Sequence, residues 1–260
     1  MAGTEGAMAP TAAPMAIGTK PSCYAITFVT VGAILWLVHG VLMLVGLVSI
    51  VSIPLGAVGG DPTAAFAAAG ALLAATAVVF LASVFLATAI IPSAKAQGRA
   101  APGAGNPVLA GVLFLFFAAM AGVALAAGIV ASGVVVTLDL ATLLVMGQVV
   151  FAAWAGSAVV LALTGILAPR ACTTLGLIRV DGRPLLGKPF LAFAIVSAVG
   201  VLMLVVPLLL TFGGAGIDAF AIVAIVGLVL TLLVVPVLEI VVFLLILLAG
   251  LQARKAVRPS

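Results

Sequence analysis

A chain of 260 residues that is 66% hydrophobic and only 6% charged lies far from soluble domains, which are about half apolar and a quarter charged. Its net charge of +4 is spread too thinly for a nucleic-acid patch, and one His with two Cys cannot furnish a metal or haem site. The lipid bilayer is the environment that such a composition fits.

The first residues, 1–20, are small, polar and Pro-containing, with Glu5 and no Arg. They lack the basic start of a signal peptide and the Arg-rich character of a transit peptide, and are expected to form a disordered tail. The first uncharged apolar run covers about 24–53 and contains Trp36 and His39. It is long enough to cross a bilayer, which takes about 20 apolar residues. A short loop, 54–62, ends in Asp61-Pro62. Asp there suits the free N–H groups of a helix start, and Pro suits the first helical position.

The second run, about 63–91, leads into a loop with Lys95 and Arg99; the third, about 108–133, starts just after Pro107. Asp139 precedes the fourth run, about 140–168, which carries Gln148 and Trp154. Residues 168–189, APRACTTLGLIRVDGRPLLGKP, form the longest polar connection, with Arg170, Arg179, Arg183 and Lys188. These four are candidate contacts for anionic headgroups or a partner; marking orientation also accounts for them. The fifth run covers about 190–212, and the sixth, about 219–251, follows Asp218 and contains Pro236 and Glu239. Residues 254–260 are a basic tail.

The expected fold is therefore all-α: a polytopic membrane bundle over 21–253 with six transmembrane helices. All ten Lys and Arg fall at the start of odd helices or the end of even ones, and none in the loops 54–62, 134–139 and 213–218. Basic residues in short loops stay on the cytoplasmic side, so both termini are expected there or on the equivalent side of an organelle membrane. Cys23 and Cys172 fall at helix ends on that face and are read as unmodified thiols, lipidation being the less favoured alternative.

Nearly the same six letters, GNPVLA at 105–110 and GKPFLA at 187–192, precede two of the odd helices, with TKPSCY at 19–24 a weaker third copy. Pro21, Pro107 and Pro189 are 86 and 82 residues apart, and Asp61, Asp139 and Asp218 are 78 and 79 apart. This spacing suggests three tandem helical hairpins, about 21–92, 107–168 and 189–253. Their odd helices end without the acidic-x-x-basic step that mitochondrial carriers place there, so that family is excluded.

Small residues four apart should make the tightest contacts. Ala67, Ala71 and Ala75, then Ala118, Gly122 and Ala126, and finally Ala152 and Gly156 mark helices two, three and four as the expected packed centre. The bulky sixth helix is expected to face lipid and to bend at Pro236. Trp36 and Trp154, at mid-span, are expected to pack rather than anchor at an interface.

Ionisable groups at membrane depth are costly and usually functional, and only His39 and Glu239 qualify. At 1.5 Å per residue both lie about 20 Å from the cytoplasmic helix ends, so they meet if helices one and six are neighbours. Such a pair can lock the packing or hold a proton. Gln148 is expected to make an interhelical hydrogen bond or line a pore. Asp61, Asp139 and Asp218 are read as outer-face caps, with attraction of cations as the lesser role.

No Gly-rich phosphate loop, Mg²⁺-type acidic cluster or nucleophile elbow occurs, so neither enzyme activity nor a cofactor is expected. The leading expectation is a structural or accessory subunit that packs against other membrane proteins, itself or lipid. The alternative is a small-solute or proton-coupled transporter using His39 and Glu239.

Overall fold

The structure, a computed structural model, describes residues 23–59, 63–96, 107–137, 140–212 and 221–257. All regular structure among them is helical. Helix α1 runs Cys23–Gly59, α2 Thr63–Ala96, α3 Pro107–Thr137, α4 Leu140–Thr174 and α5 Lys188–Phe212. The last span begins as α6, Ala221–Val229, widens into one π turn, Leu230–Val234, and continues as α7, Val235–Val257. Six of these helical stretches are long and apolar enough to cross a membrane, which fits an integral multi-pass protein.

Most helices outrun their apolar segments. α2 continues through Pro92 to Ala96, and α4 through Pro169 to Thr174, because near a membrane surface water can satisfy the carbonyls that a proline leaves free. α3 begins on Pro107 itself, where the missing N–H costs nothing. Pro21, Asp61, Asp139 and Asp218 lie outside the described residues, as does the N-terminal tail.

Each helix packs on its neighbours in chain order, and the last span returns to the first, so the six close into a ring. Helices α1 and α7 run antiparallel. His39 meets Glu239, and a Cβ at Gly250 would lie 2.8 Å from Thr30 Oγ1. Gly40 makes the middle of this contact possible, since a Cβ there would lie 3.0 Å from Ile240 Cγ1 and 3.3 Å from the Pro236 carbonyl oxygen.

The packed centre differs from the sequence expectation. Ala71, Ala75 and Ala118 are buried, but Ala67, Ala126 and Ala152 are exposed. The centre is aromatic instead. Trp36 of α1, 2% exposed, stacks on Phe243 of α7 with centroids 4.9 Å apart at 3° and on Phe117 of α3 at 5.8 Å and 28°. Phe193 of α5 meets it edge-on at 5.6 Å and 85°. Large rings on four helices fill the interior of a ring that small residues alone would leave hollow.

The sixth span is also not simply lipid-facing. Val235, Glu239, Val242, Phe243, Ile246, Ala249 and Ala253 form one buried face of α7, while Val237, Val241, Leu244, Leu245 and Leu248 are exposed. One stripe thus faces the ring and the rest faces outward.

The connection 175–187 is a folded plug rather than a polar loop. Ile178 pairs with Pro184, Leu185 N–H donates to Leu177 O at 2.9 Å, and Gly176 and Gly182 take the left-handed turns at φ 68° and 78°. Leu175, Leu177, Leu185 and Leu186 are buried against that end of the bundle.

Candidate functional site

Polar atoms are scarce inside this bundle, and the hydroxyls show how most are disposed of. Thr30, Thr76, Ser83 and Thr164 each donate to the carbonyl four residues back, at 2.7–2.8 Å, which satisfies them within their own helix. A small group escapes this pattern. Among the described residues, the buried side-chain atoms without a partner include Trp36 Nε1, Ser197 Oγ, Thr231 Oγ1 and Glu239 Oε2. All four residues line one cavity of about 120 Å³ in the middle of the ring.

Every span contributes to its wall: Trp36, His39 and Met43 from α1, Thr76 and Val79 from α2, and Phe117 and Ala121 from α3. Trp154 and Ser157 of α4, Phe193 and Ser197 of α5, and Thr231, Pro236 and Glu239 of the last span complete it. Among the described residues, His39 and Glu239 are its only titratable lining groups.

His39 Nδ1 lies 2.6 Å from Glu239 Oε1, with the imidazole 16% exposed and the carboxyl fully buried. That separation is a short hydrogen bond. Trp36 holds the imidazole edge-on at 5.6 Å and 76°. One carboxyl oxygen is thus committed to His39, while Oε2 accepts no hydrogen bond from any described residue.

Thr231 owes its position to Pro236. A proline lacks the N–H that would bond the carbonyl of Leu232, and the helix answers by widening: Val235 N–H reaches back five residues to Leu230 O. Such π turns are frequent at functional sites. Across from it, a Cβ at Gly200 of α5 would lie 3.1 Å from Thr231 Oγ1, so the bare glycine lets the turn close on α5.

The remaining sequence candidates lie elsewhere. Gln148 is exposed on α4 and outside the cavity. Arg170 and Lys188 are exposed at the ends of α4 and α5. Arg179 and Arg183 sit on the plug, joined by Arg179 N–H to Arg183 O at 2.7 Å, and Arg183 Nε stands 3.8 Å from Asp181. Cys23 is exposed and Cys172 fully buried, so lipidation of Cys172 would require that end of the bundle to open. Among the described residues no three His, Cys, Asp or Glu come together as a metal site would need.

The sequence reading missed Ser197 and Thr231. The available signal was Pro236 five residues after Thr231, a spacing that forces a local distortion where a threonine would otherwise bond its own helix. No known family matches the chain, and neither a curated protein nor a solved structure matches it.

Proposed function

We propose that the protein carries a small solute across a membrane, with proton exchange at the His39–Glu239 pair. One observation carries this reading: of the six buried side-chain atoms without a partner among the described residues, four, from Trp36, Ser197, Thr231 and Glu239, line a single cavity walled by all six spans, the other two being Arg179 Nε and Arg254 Nε outside it. A bundle built only to fill space has no reason to collect them, since each unpaired buried polar atom costs about 1–3 kcal/mol. Sites between spans near mid-membrane are where carriers hold their cargo.

The reading includes both termini on the cytoplasmic side and three tandem hairpins. The first is supported by the one-sided placement of all ten Lys and Arg, the second by the Pro and Asp spacings.

The test is flux into proteoliposomes across an imposed pH gradient, using a panel of small radiolabelled solutes. The expected result is saturable uptake that follows the gradient in the wild type and loses its proton dependence in Glu239→Gln. Equal pH-dependent uptake by that variant, or no uptake of any solute, rejects the reading. In the second case, stoichiometric membrane partners copurifying in mild detergent would point to an accessory subunit.

A further inference from the structure

We propose that the central cavity binds a small uncharged solute of the amide or alcohol type, one that carries both a hydrogen-bond donor and an oxygen acceptor. The inference deepens the carrier reading and rests on it for the role of the site. Three properties of the cavity lead to it.

The first is charge. Among the described residues no Lys or Arg lines the cavity, and its two titratable groups are bonded to each other. A net charge among apolar walls is expensive, whereas one proton shared by the His39–Glu239 pair leaves the site neutral. A neutral site gives neither an anion nor a cation a partner ion.

The second is the complement of orphan atoms. Trp36 Nε1–H can only donate, Glu239 Oε2 accepts while the pair's proton is on His39, and the hydroxyls of Ser197 and Thr231 do either. An ammonium ion would meet Glu239 but leave the indole N–H opposed. A carboxylate would meet the indole but confront Glu239. An amide satisfies both ends at once, its N–H on Oε2 and its carbonyl oxygen on the indole.

The third is the balance of size and polarity. About 120 Å³ holds several waters or a solute on the order of six non-hydrogen atoms. The polar lining groups stand among aromatic and aliphatic walls. A short apolar skeleton matches the walls formed by Phe117, Phe193 and Val79 while its polar end meets the orphans.

The experiment is equilibrium binding of labelled acetamide, methylammonium and acetate to the full-length protein in nanodiscs. Tryptophan emission serves as a second readout, because both Trp residues of the chain line the cavity. The expected result is one saturable acetamide site per chain, accompanied by an emission change. Methylammonium and acetate should bind at least about tenfold more weakly, the loss expected when a buried donor or acceptor is left unpaired.

The double variant S197A/T231V should weaken acetamide about tenfold. Thermal melts identify any variant that is unfolded, and the wild-type ranking of the three probes tests the proposal without any variant. Tighter binding of either ion than of acetamide overturns it, as does an absence of saturable acetamide binding. Acetamide binding without flux would leave this inference standing and reject the carrier reading. Flux of an ion without acetamide binding would do the reverse.

Discussion

Glu239 and Trp36 set the consequences at the scale of single residues. Glu239 is fully buried with His39 as its bonded partner, so His39→Ala leaves a buried carboxyl without its partner. Breaking a buried pair from one side costs about 3–5 kcal/mol, and thermal unfolding in detergent should show a loss of that size. Replacing both residues, as H39L/E239M, removes the stranded group and should recover much of the stability while abolishing proton-dependent flux. A double variant as unstable as His39→Ala would show that the pair does more for the fold than neutralise itself.

Trp36 touches rings from α3, α5 and α7, so Trp36→Ala should cost about 3–5 kcal/mol by the same measurement. The equal depth of His39 and Glu239 was legible in the sequence because depth along a helix is simple arithmetic and ionisable groups are rare in membranes, but their meeting depended on the first and last spans being neighbours, which the structure supplies. Ser197 and Thr231 were not, since a helical hydroxyl ordinarily bonds its own backbone and only the surroundings reveal that these two do not.

At the scale of elements, Pro236 and the π turn behave as a unit. Pro236→Ala supplies the missing N–H and lets Leu230–Val234 rewind as ordinary helix, which turns the preceding residues by about 100°. The variant should melt at a higher temperature yet bind cavity ligands more weakly, because Thr231 leaves the wall. Unchanged binding would separate the π turn from the site.

Gly227 tests the neighbouring contact. A Cβ there would fall 2.3 Å from Leu204 N on α5, whereas at Gly70 of α2 it meets nothing within 4 Å. Gly227→Ala should therefore destabilise by about 1–3 kcal/mol through overpacking. Gly70→Ala should be neutral or stabilise by about 0.5–1 kcal/mol, as expected for relieving a glycine inside a helix. Helix number and order were readable from apolar run length alone. Helix ends were not, because backbone at a membrane surface can stay helical past Pro92 and Pro169, beyond the last apolar residue.

Across the whole molecule, the ring is what composition could not reveal. In a chain this rich in Ala, stripes of small residues occur on many faces, and Ala67, Ala126 and Ala152 show that a stripe does not choose its own side. Trp36 gathers rings from α3, α5 and α7 on the side of α1 that faces inward.

The plug over residues 175–187 closes one end of the bundle and covers Cys172. A maleimide reagent should accordingly modify one thiol per chain in the folded protein, at Cys23, and two after denaturation. Rapid labelling of both in the native state would mean that this end opens.

Because α1 and α7 lie side by side in opposite directions, the start of one stands beside the finish of the other. The order in which the helices are connected is therefore separable from the contacts they make. A circularly permuted gene, with a flexible bridge from residue 257 to residue 23 and new ends opened between α2 and α3, should yield a protein that folds to the same closed wall and binds the same ligands.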